Sequence, residues 1–315
     1  MIERDHHRID RLRERVARCE IVVLDGGTGT ELQAMGVPMD GEAWSAVANL
    51  THLDAVQRLH ASFVAAGADV LITNTFAAGP GPLAAAGYAA RVDEANVNAV
   101  SAAAAAREQV GRDEVVIVGS MSRMVANGLS RSESVDAGSA DEDRLRDAFG
   151  RQARILANAG VDALALEMIG ARAQAMPAVA AAAAAETGLP VWLGISVAEA
   201  TGVRATTVDG EDVAGLIESV RTEAIDAVLV MHTDIRLVSD SLTVITAVWP
   251  GTVGAYPHVG DWTPPNWVFG EVSPSAFADD ARDWVSHGAT IVGGCCGIGP
   301  EHIAELAATF APGRS

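Results

Sequence analysis

The sequence predicts an α/β fold, a (β/α)8 TIM barrel occupying 1–315 as one domain, with an N-terminal helix and long loops over the C-terminal face of the strands. Three observations carry this. Eight short apolar runs alternate with eight helical segments along the chain. The runs are continuously apolar rather than alternating, as strands buried on both faces should be. No composition break, linker or low-complexity segment divides the 315 residues.

In order, residues 1–19 form a charged leader helix expected to pack on the outside of the domain. Ile21 to Leu24 is the first strand, followed at once by Asp25-Gly26-Gly27-Thr28-Gly29-Thr30. Leu53 to Ala66 has helical spacing and stops at Gly67, before the second strand, Ala68 to Ile72. The alanine-rich helix Val92 to Gln109 leads to the third strand, Val115 to Val118. Leu145 to Ala159 is a helix closed by Gly160, and Ala163 to Leu166 is the fourth strand. Helix Ala171 to Thr187 precedes strand Val191 to Ile195; helix Val213 to Thr222 precedes strand Ala227 to Met231. Val238 to Trp249 is a helix, Thr252 to Tyr256 the seventh strand, Ala276 to His287 a helix and Thr290 to Gly293 the eighth strand. A last helix follows Pro300. Two stretches, Met121 to Asp143 and Pro257 to Ala276, exceed ordinary connections and follow strand ends, so both are expected over the active face. A doubly wound open sheet is the structural competitor, but Gly26-Gly27-Thr28-Gly29 does not spell a dinucleotide fingerprint.

Composition narrows the function. Apolar residues make up 49% of the chain, ample material for a core. Lys and Arg number 22 against 41 Asp and Glu, a net charge of −19, which disfavours nucleic acid and anionic membranes as partners. The charged start lacks the apolar centre of a signal peptide, and no apolar run reaches membrane-spanning length. Three cysteines, two of them adjacent, make no disulfide framework and point to a reducing cytoplasm. A homo-oligomer stays open.

In such a barrel the chemistry sits at the C-terminal strand ends. Here those ends offer Asp25, Thr73 with Asn74, Ser120, Glu167, Ser196, His232, Tyr256 with His258, and Cys295 with Cys296. Cys295, Cys296 and His232 make a three-ligand zinc set of mixed sulfur and nitrogen type, with the fourth tetrahedral position open. Such an ion would hold a substrate thiol as thiolate, the nucleophilic form. Asp25 and Glu167 could grip an ammonium group. Each has a plainer alternative: inert buried cysteines, a hydrogen-bonded rim histidine, a carboxylate satisfying backbone donors.

The motifs resemble those of the homocysteine S-methyltransferase family, zinc-dependent (β/α)8 barrels. The matching pieces are Leu24 to Leu32, Ala43-Trp44-Ser45, Ala66-Gly67-Ala68-Asp69 running into Thr73-Asn74-Thr75-Phe76, Gly119-Ser120-Met121, Glu167 after Asp162, Tyr256-Pro257 and Gly293-Gly294-Cys295-Cys296-Gly297, in the family's order over about 20 to 310. The resemblance implies zinc held by Cys295 and Cys296, with Asp25, Thr73 and Glu167 around the amino-acid end of homocysteine, Asp25 and Glu167 as catalytic residues, and Trp44 on the methyl-donor side. Ser196 joins the expected substrate-binding set. The implied reaction is transfer of a methyl group from a sulfonium donor, S-methylmethionine or S-adenosylmethionine, to homocysteine or a related thiol or selenol, giving methionine. The betaine-using branch fits less well, having Tyr where Met168 stands.

Two departures mark this chain. Met231-His232 stands where the family has Asn-Cys, and His258 stands where an Asn follows Tyr-Pro. Imidazole for thiolate leaves the zinc site one unit more positive and its bound thiolate less nucleophilic. His258 is open as a ligand or a base. The change also leaves open other metal-assisted chemistry, namely demethylation of another donor or hydrolysis, and a non-catalytic metal- or thiol-binding barrel.

Overall fold

Eight parallel strands close into a ring in the computed structural model, which describes residues 7–126, 140–169, 176–221 and 224–311. They are β1 (Val22–Val23), β2 (Val70–Ile72), β3 (Val116–Ser122), β4 (Ala163–Glu167), β5 (Val191–Ile195), β6 (Ile225–Asp234), β7 (Thr252–His258) and β8 (Ile291–Val292). Each pairs in parallel with its successor from β2 to β8, and β8 pairs with β1 through Val22↔Ile291. A parallel bridge between Leu24 and Val70 joins β1 to β2 and completes the circle.

One helix follows each strand on the outside: Leu53–Ala66, Val92–Val110, Ala140–Ala159, Met176–Ala185, Val213–Val220, Val238–Val248, Pro274–Ser286 and Pro300–Thr309. The expected stop at Gly67 is a left-handed cap (φ +106°) whose N–H returns to the Val64 carbonyl. Leu71, Ile117, Leu164, Leu193, Val228 and Val253 point outward into the layer shared with the helices, while Val22, Val70, Val116, Trp192, Leu229 and Ile291 fill the barrel. Trp192 fits inside because Ala163, Ala165 and Ala227 share that interior with it.

The N-terminal helix does not lie on the outer wall as expected. His7–Ala17 closes the N-terminal mouth, with Ile9 and Leu12 in the barrel-interior cluster. Arg8 pairs with Asp162, Arg13 with Asp226 and Arg15 with Asp69, carboxylates at the N-terminal ends of β4, β6 and β2. The charges that suggested a surface helix are its ties to the barrel rim. Val16 of the same helix packs against that cluster as well.

Strands β3, β6 and β7 run past their apolar runs, carrying Ser120, His232 and His258 within the sheet. The stretch from Pro257 to Ala276, expected as a long loop, contains an antiparallel hairpin, Gly260–Thr263 with Asn266–Phe269. A second hairpin, Val197–Ala200 with Ala205–Thr207, follows β5. Of the other long loop, residues 127–139 lie outside the described residues, as do 1–6 of the leader, 171–175 of the expected helix from Ala171, and Thr222. No described helix is long and apolar enough to cross a membrane.

Ile9 is 1% exposed inside a closed ring that has little freedom to collapse. Ile9→Ala is therefore expected to lower unfolding free energy by about 2–5 kcal/mol, read as a lower urea midpoint at unchanged slope.

Candidate metal and substrate site

The double cysteine occupies a turn that only small residues permit. After β8, a side chain at Gly293 would come within 2.4 Å of the Leu24 Cβ, and one at Gly294 within 2.2 Å of Ile298. Gly297 has φ +82° and packs directly on the Val259 carbonyl. The turn is stitched to the exit of β7: Cys295 N–H donates to the Pro257 carbonyl (2.8 Å), and Val259 N–H donates to that of Cys296 (2.9 Å). Both sulfurs thereby face the barrel mouth beside β6.

There His232 meets them. Its Nδ1 lies 3.6 Å from Cys295 Sγ, which lies 3.9 Å from Cys296 Sγ, and one ligand atom from each residue falls within 4.8 Å of the others. A tetrahedral ion with metal–sulfur and metal–nitrogen bonds of roughly 2.0–2.3 Å needs ligand separations of about 3.3–3.8 Å. The donor set fits a metal ion. Contact with Cys296 and the neighbouring His232 pull Cys295 well below the usual thiol range, while Cys296 is pushed well above it by Cys295 and by burial. One of the two sulfurs is thus already disposed to be the thiolate a metal requires.

His232 reaches the cysteines through an irregularity. The β6–β7 register shifts between Met231 and Asp234, and His232 has φ +41°, in the left-handed region. A bulge of this kind re-aims a side chain next to a site. It is pinned from β5: Ser196 Oγ donates to the His232 carbonyl (2.7 Å), and Val197 N–H donates to Thr233 Oγ1 (2.9 Å). Ser196 thus spends its hydroxyl on the backbone of His232. The His232 ring is flanked by His258 (centroids 4.5 Å apart) and the edge of Trp267 (5.6 Å). His258 stands outside the donor set. Its Nδ1 is buried without a partner among the described residues, and burial, then His232, lower its pKa.

Trp267 belongs to the hairpin after β7 and is the residue sequence reasoning missed. Gln33 clamps it with two hydrogen bonds, Nε2 donating to the Trp267 carbonyl (2.9 Å) and Oε1 accepting from the Trp267 N–H (2.7 Å). Its indole N–H donates to the Val259 carbonyl. The only signal in the sequence was a pair of tryptophans in a proline-containing stretch after a strand end.

Across the mouth stand the carboxylates. Glu167 ends β4, 4% exposed, and accepts from Ser120 Oγ on one oxygen and from Tyr256 Oη on the other (2.9 Å). Burial, and then the Cys295 charge, raise its pKa to about 7 against the donated hydrogen bonds. Asp25, 1% exposed, accepts from Ile72 N–H (2.9 Å), and burial followed by Glu167 pushes it well above the usual carboxylate range. Neither makes an ion pair among the described residues, and the chain contains no lysine. Two buried acids without a cation form a cavity end suited to a ligand's ammonium group.

Thr73, 2% exposed, donates to Thr75 Oγ1 (2.7 Å), which donates in turn to the Ser120 carbonyl, while Ser120 N–H donates to Thr73. Its hydroxyl therefore braces the Ser120 that holds Glu167. Asn74 is consumed by Ser45 and Asn49. Trp44, at φ +44°, packs on Gly29 and meets the edge of Trp262 at 5.9 Å, so it borders the mouth apart from the metal donors.

The model of the homocysteine S-methyltransferase family matches residues 22–310. Similar proteins include homocysteine S-methyltransferase 1 of Zea mays, 26% identical over 89% of this chain and 91% of that one. A selenocysteine methyltransferase of Astragalus bisulcatus is 26% identical over 93% of each chain. Among solved structures, the metallated form of the Escherichia coli homocysteine methyltransferase MmuM superposes with a TM-score of 0.77 at 22% identity, covering 94% of this chain and 99% of that one; at that identity the likeness concerns the fold.

The position of Glu167 carries a pH signature. Its folded-state value of about 7 exceeds its ordinary 4.5, so the native state holds the proton more tightly. That stabilisation is complete below the unfolded value and lost as pH rises through the folded one. In metal-free protein, the melting temperature of wild type is expected to fall relative to Glu167→Gln between about pH 5 and about pH 8. A difference that stays constant across that range would contradict the assignment.

Proposed function

The chain belongs to the homocysteine S-methyltransferase family, and from that premise we propose that it transfers a methyl group from a sulfonium donor to the sulfur of homocysteine, or to a related thiol or selenol, with zinc held by His232, Cys295 and Cys296. One observation carries the reading: a buried pair of carboxylates, without an ion pair among the described residues, shares one barrel mouth with a three-donor set of metal-binding spacing. An acceptor carrying an ammonium group at one end and a thiol at the other answers both.

Zinc, when bound, supplies a Lewis acid that keeps the acceptor sulfur deprotonated at neutral pH. Asp25 and Glu167 take the acceptor's ammonium, which returns both to their charged forms and offsets the cost of their burial. Ser120 and Tyr256 hold the Glu167 carboxylate still while this happens, and Thr73 holds Ser120. The acceptor sulfur then attacks the donor methyl in line. The new S–C bond forms as the donor's S–C bond breaks, and the bonding pair leaves on the donor sulfur, turning a sulfonium into a neutral thioether. An anion and a cation are consumed together, a step favoured where water is scarce. Positioning supplies most of the remaining acceleration.

His232 in place of a third thiolate would leave a held metal a stronger Lewis acid and an acceptor sulfur a weaker nucleophile. The donors favoured are soluble sulfoniums, S-methylmethionine or S-adenosylmethionine. A reducing cytoplasm suits the free thiols.

Metal analysis paired with product analysis tests the proposal. Wild type is expected to retain stoichiometric zinc through dialysis and to form methionine from homocysteine with a sulfonium donor, while His232→Ala loses both. Zinc-loaded wild type that methylates neither homocysteine nor a selenol with any sulfonium donor would overturn it.

A further inference from the structure

Beside the metal donors, a separate cleft of about 670 Å³ opens on the same face of the barrel. That volume lies within the ordinary range for small-molecule sites. His232 belongs both to its wall and to the metal donor set, and His258 lines it beside His232. Asp25, Glu167, Thr73 and both cysteines are not among its lining, while His232 and Met168, the residue after Glu167, stand between it and the carboxylate end of the mouth. Its body is apolar, with Met168, Val197 and Leu237, and its charged groups include Arg123 and Asp234.

The two guanidinium groups of the cleft differ. Arg236 directs Nε and Nη2 at Asp234 and is 83% exposed, a pair standing mostly in solvent. Arg123 is 30% exposed and makes its ion pair through Nη1 alone, which lies 2.9 Å from both oxygens of Asp209. Among the described residues nothing engages its Nε or Nη2. Asp209, 10% exposed and 86 residues away in sequence, therefore fixes the guanidinium through Nη1 while the Nε and Nη2 donors remain for a ligand. A planar fork held this way is matched to a carboxylate. In a chain of net charge −19, an anionic group needs such a local partner to be retained.

We propose that this cleft binds the methyl donor and that Arg123 is the residue of this chain that recognises the donor's carboxylate. This rests on the methyl-transfer reading above and assigns a donor-selecting residue to it. The sulfonium end would lie toward His232, with its methylenes along Met168, Val197 and Leu237 and its carboxylate on Arg123.

The test compares S-methylmethionine with trimethylsulfonium, which carries no carboxylate, in wild type, Arg123→Gln and Arg123→Lys. Calorimetric binding to zinc-loaded protein is measured alongside donor KM, acceptor KM and kcat. Losing a charge-assisted bond should cut the preference for the carboxylate-bearing donor at least about tenfold in Arg123→Gln, chiefly in donor KM and Kd, with partial recovery in Arg123→Lys. An unchanged preference overturns the assignment, as does an equal loss for both donors, which marks Arg123 as merely structural. If wild type methylates no thiol, the methyl-transfer reading fails instead; the binding arm still decides whether Arg123 selects a carboxylate.

Discussion

Two carboxylates buried at the open end of a barrel, with no ion pair to either among the described residues, set the terms for what surrounds them. Removing a charged group from water costs several kcal/mol unless partners repay it. Glu167 is therefore given two hydroxyl donors and Asp25 a backbone N–H, and both are still held above the ordinary carboxylate range. The supporting residues have their own supports. Tyr256 reaches Glu167 because position 194 is a glycine, where a Cβ would come within 2.7 Å of the Tyr256 hydroxyl. Ser120 reaches it while bonded to Thr73, which leans on Thr75. A ring closed at β1–β2 and plugged from below by Ile9 and Leu12 gives this arrangement a rigid base.

Strain gathers at the same mouth. Trp44, Met168 and His232 are three of the four non-glycine residues with positive φ among the described residues, and they stand after β1, at the end of β4 and within β6. Such conformations cost on the order of 1–3 kcal/mol each and persist where neighbours over-determine them. For His232 the neighbours are Ser196 and Thr233 from below and Trp267 from the side, itself clamped by Gln33. The hairpin after β7 thus packs against His232 although it adds no residue to the candidate donor set.

Charge balance ties the two ends of the mouth together on the proposed chemistry. Two thiolates and a neutral imidazole would cancel a divalent ion, so such a site would be neutral where a three-thiolate site would be anionic. An acceptor thiolate would add one negative charge there, and its ammonium one positive charge at Asp25 and Glu167. The histidine would ease capture of the thiolate and blunt its attack. The Arg123 guanidinium at the neighbouring cleft, held by Asp209 through Nη1, leaves Nε and Nη2 without a partner among the described residues.

Much of this was legible in the sequence. Strands buried on both faces write continuous apolar runs, helices stop at glycines such as Gly67, and the barrel rule then turns run ends into a list of site residues. Asp25, Glu167, His232, Cys295 and Cys296 all come from that list, and the structure brings the last three within ligand distance. The leader helix was misjudged because its arginines look like a solvated face until Asp69, Asp162 and Asp226 are seen at the opposite rim. The bulge that aims His232, the use of Ser196 to hold a carbonyl, the Gln33–Trp267 clamp and the Arg123–Asp209 pair were likewise out of reach. Periodicity reports which face of an element is buried. It carries no information about a dihedral inside a strand, or about which of two polar groups 86 or 234 residues apart will meet. The sequence by itself determined the barrel and the chemistry available at its mouth; the tertiary structure decided where each group points, because that depends on strand register and loop closure, which long-range packing sets.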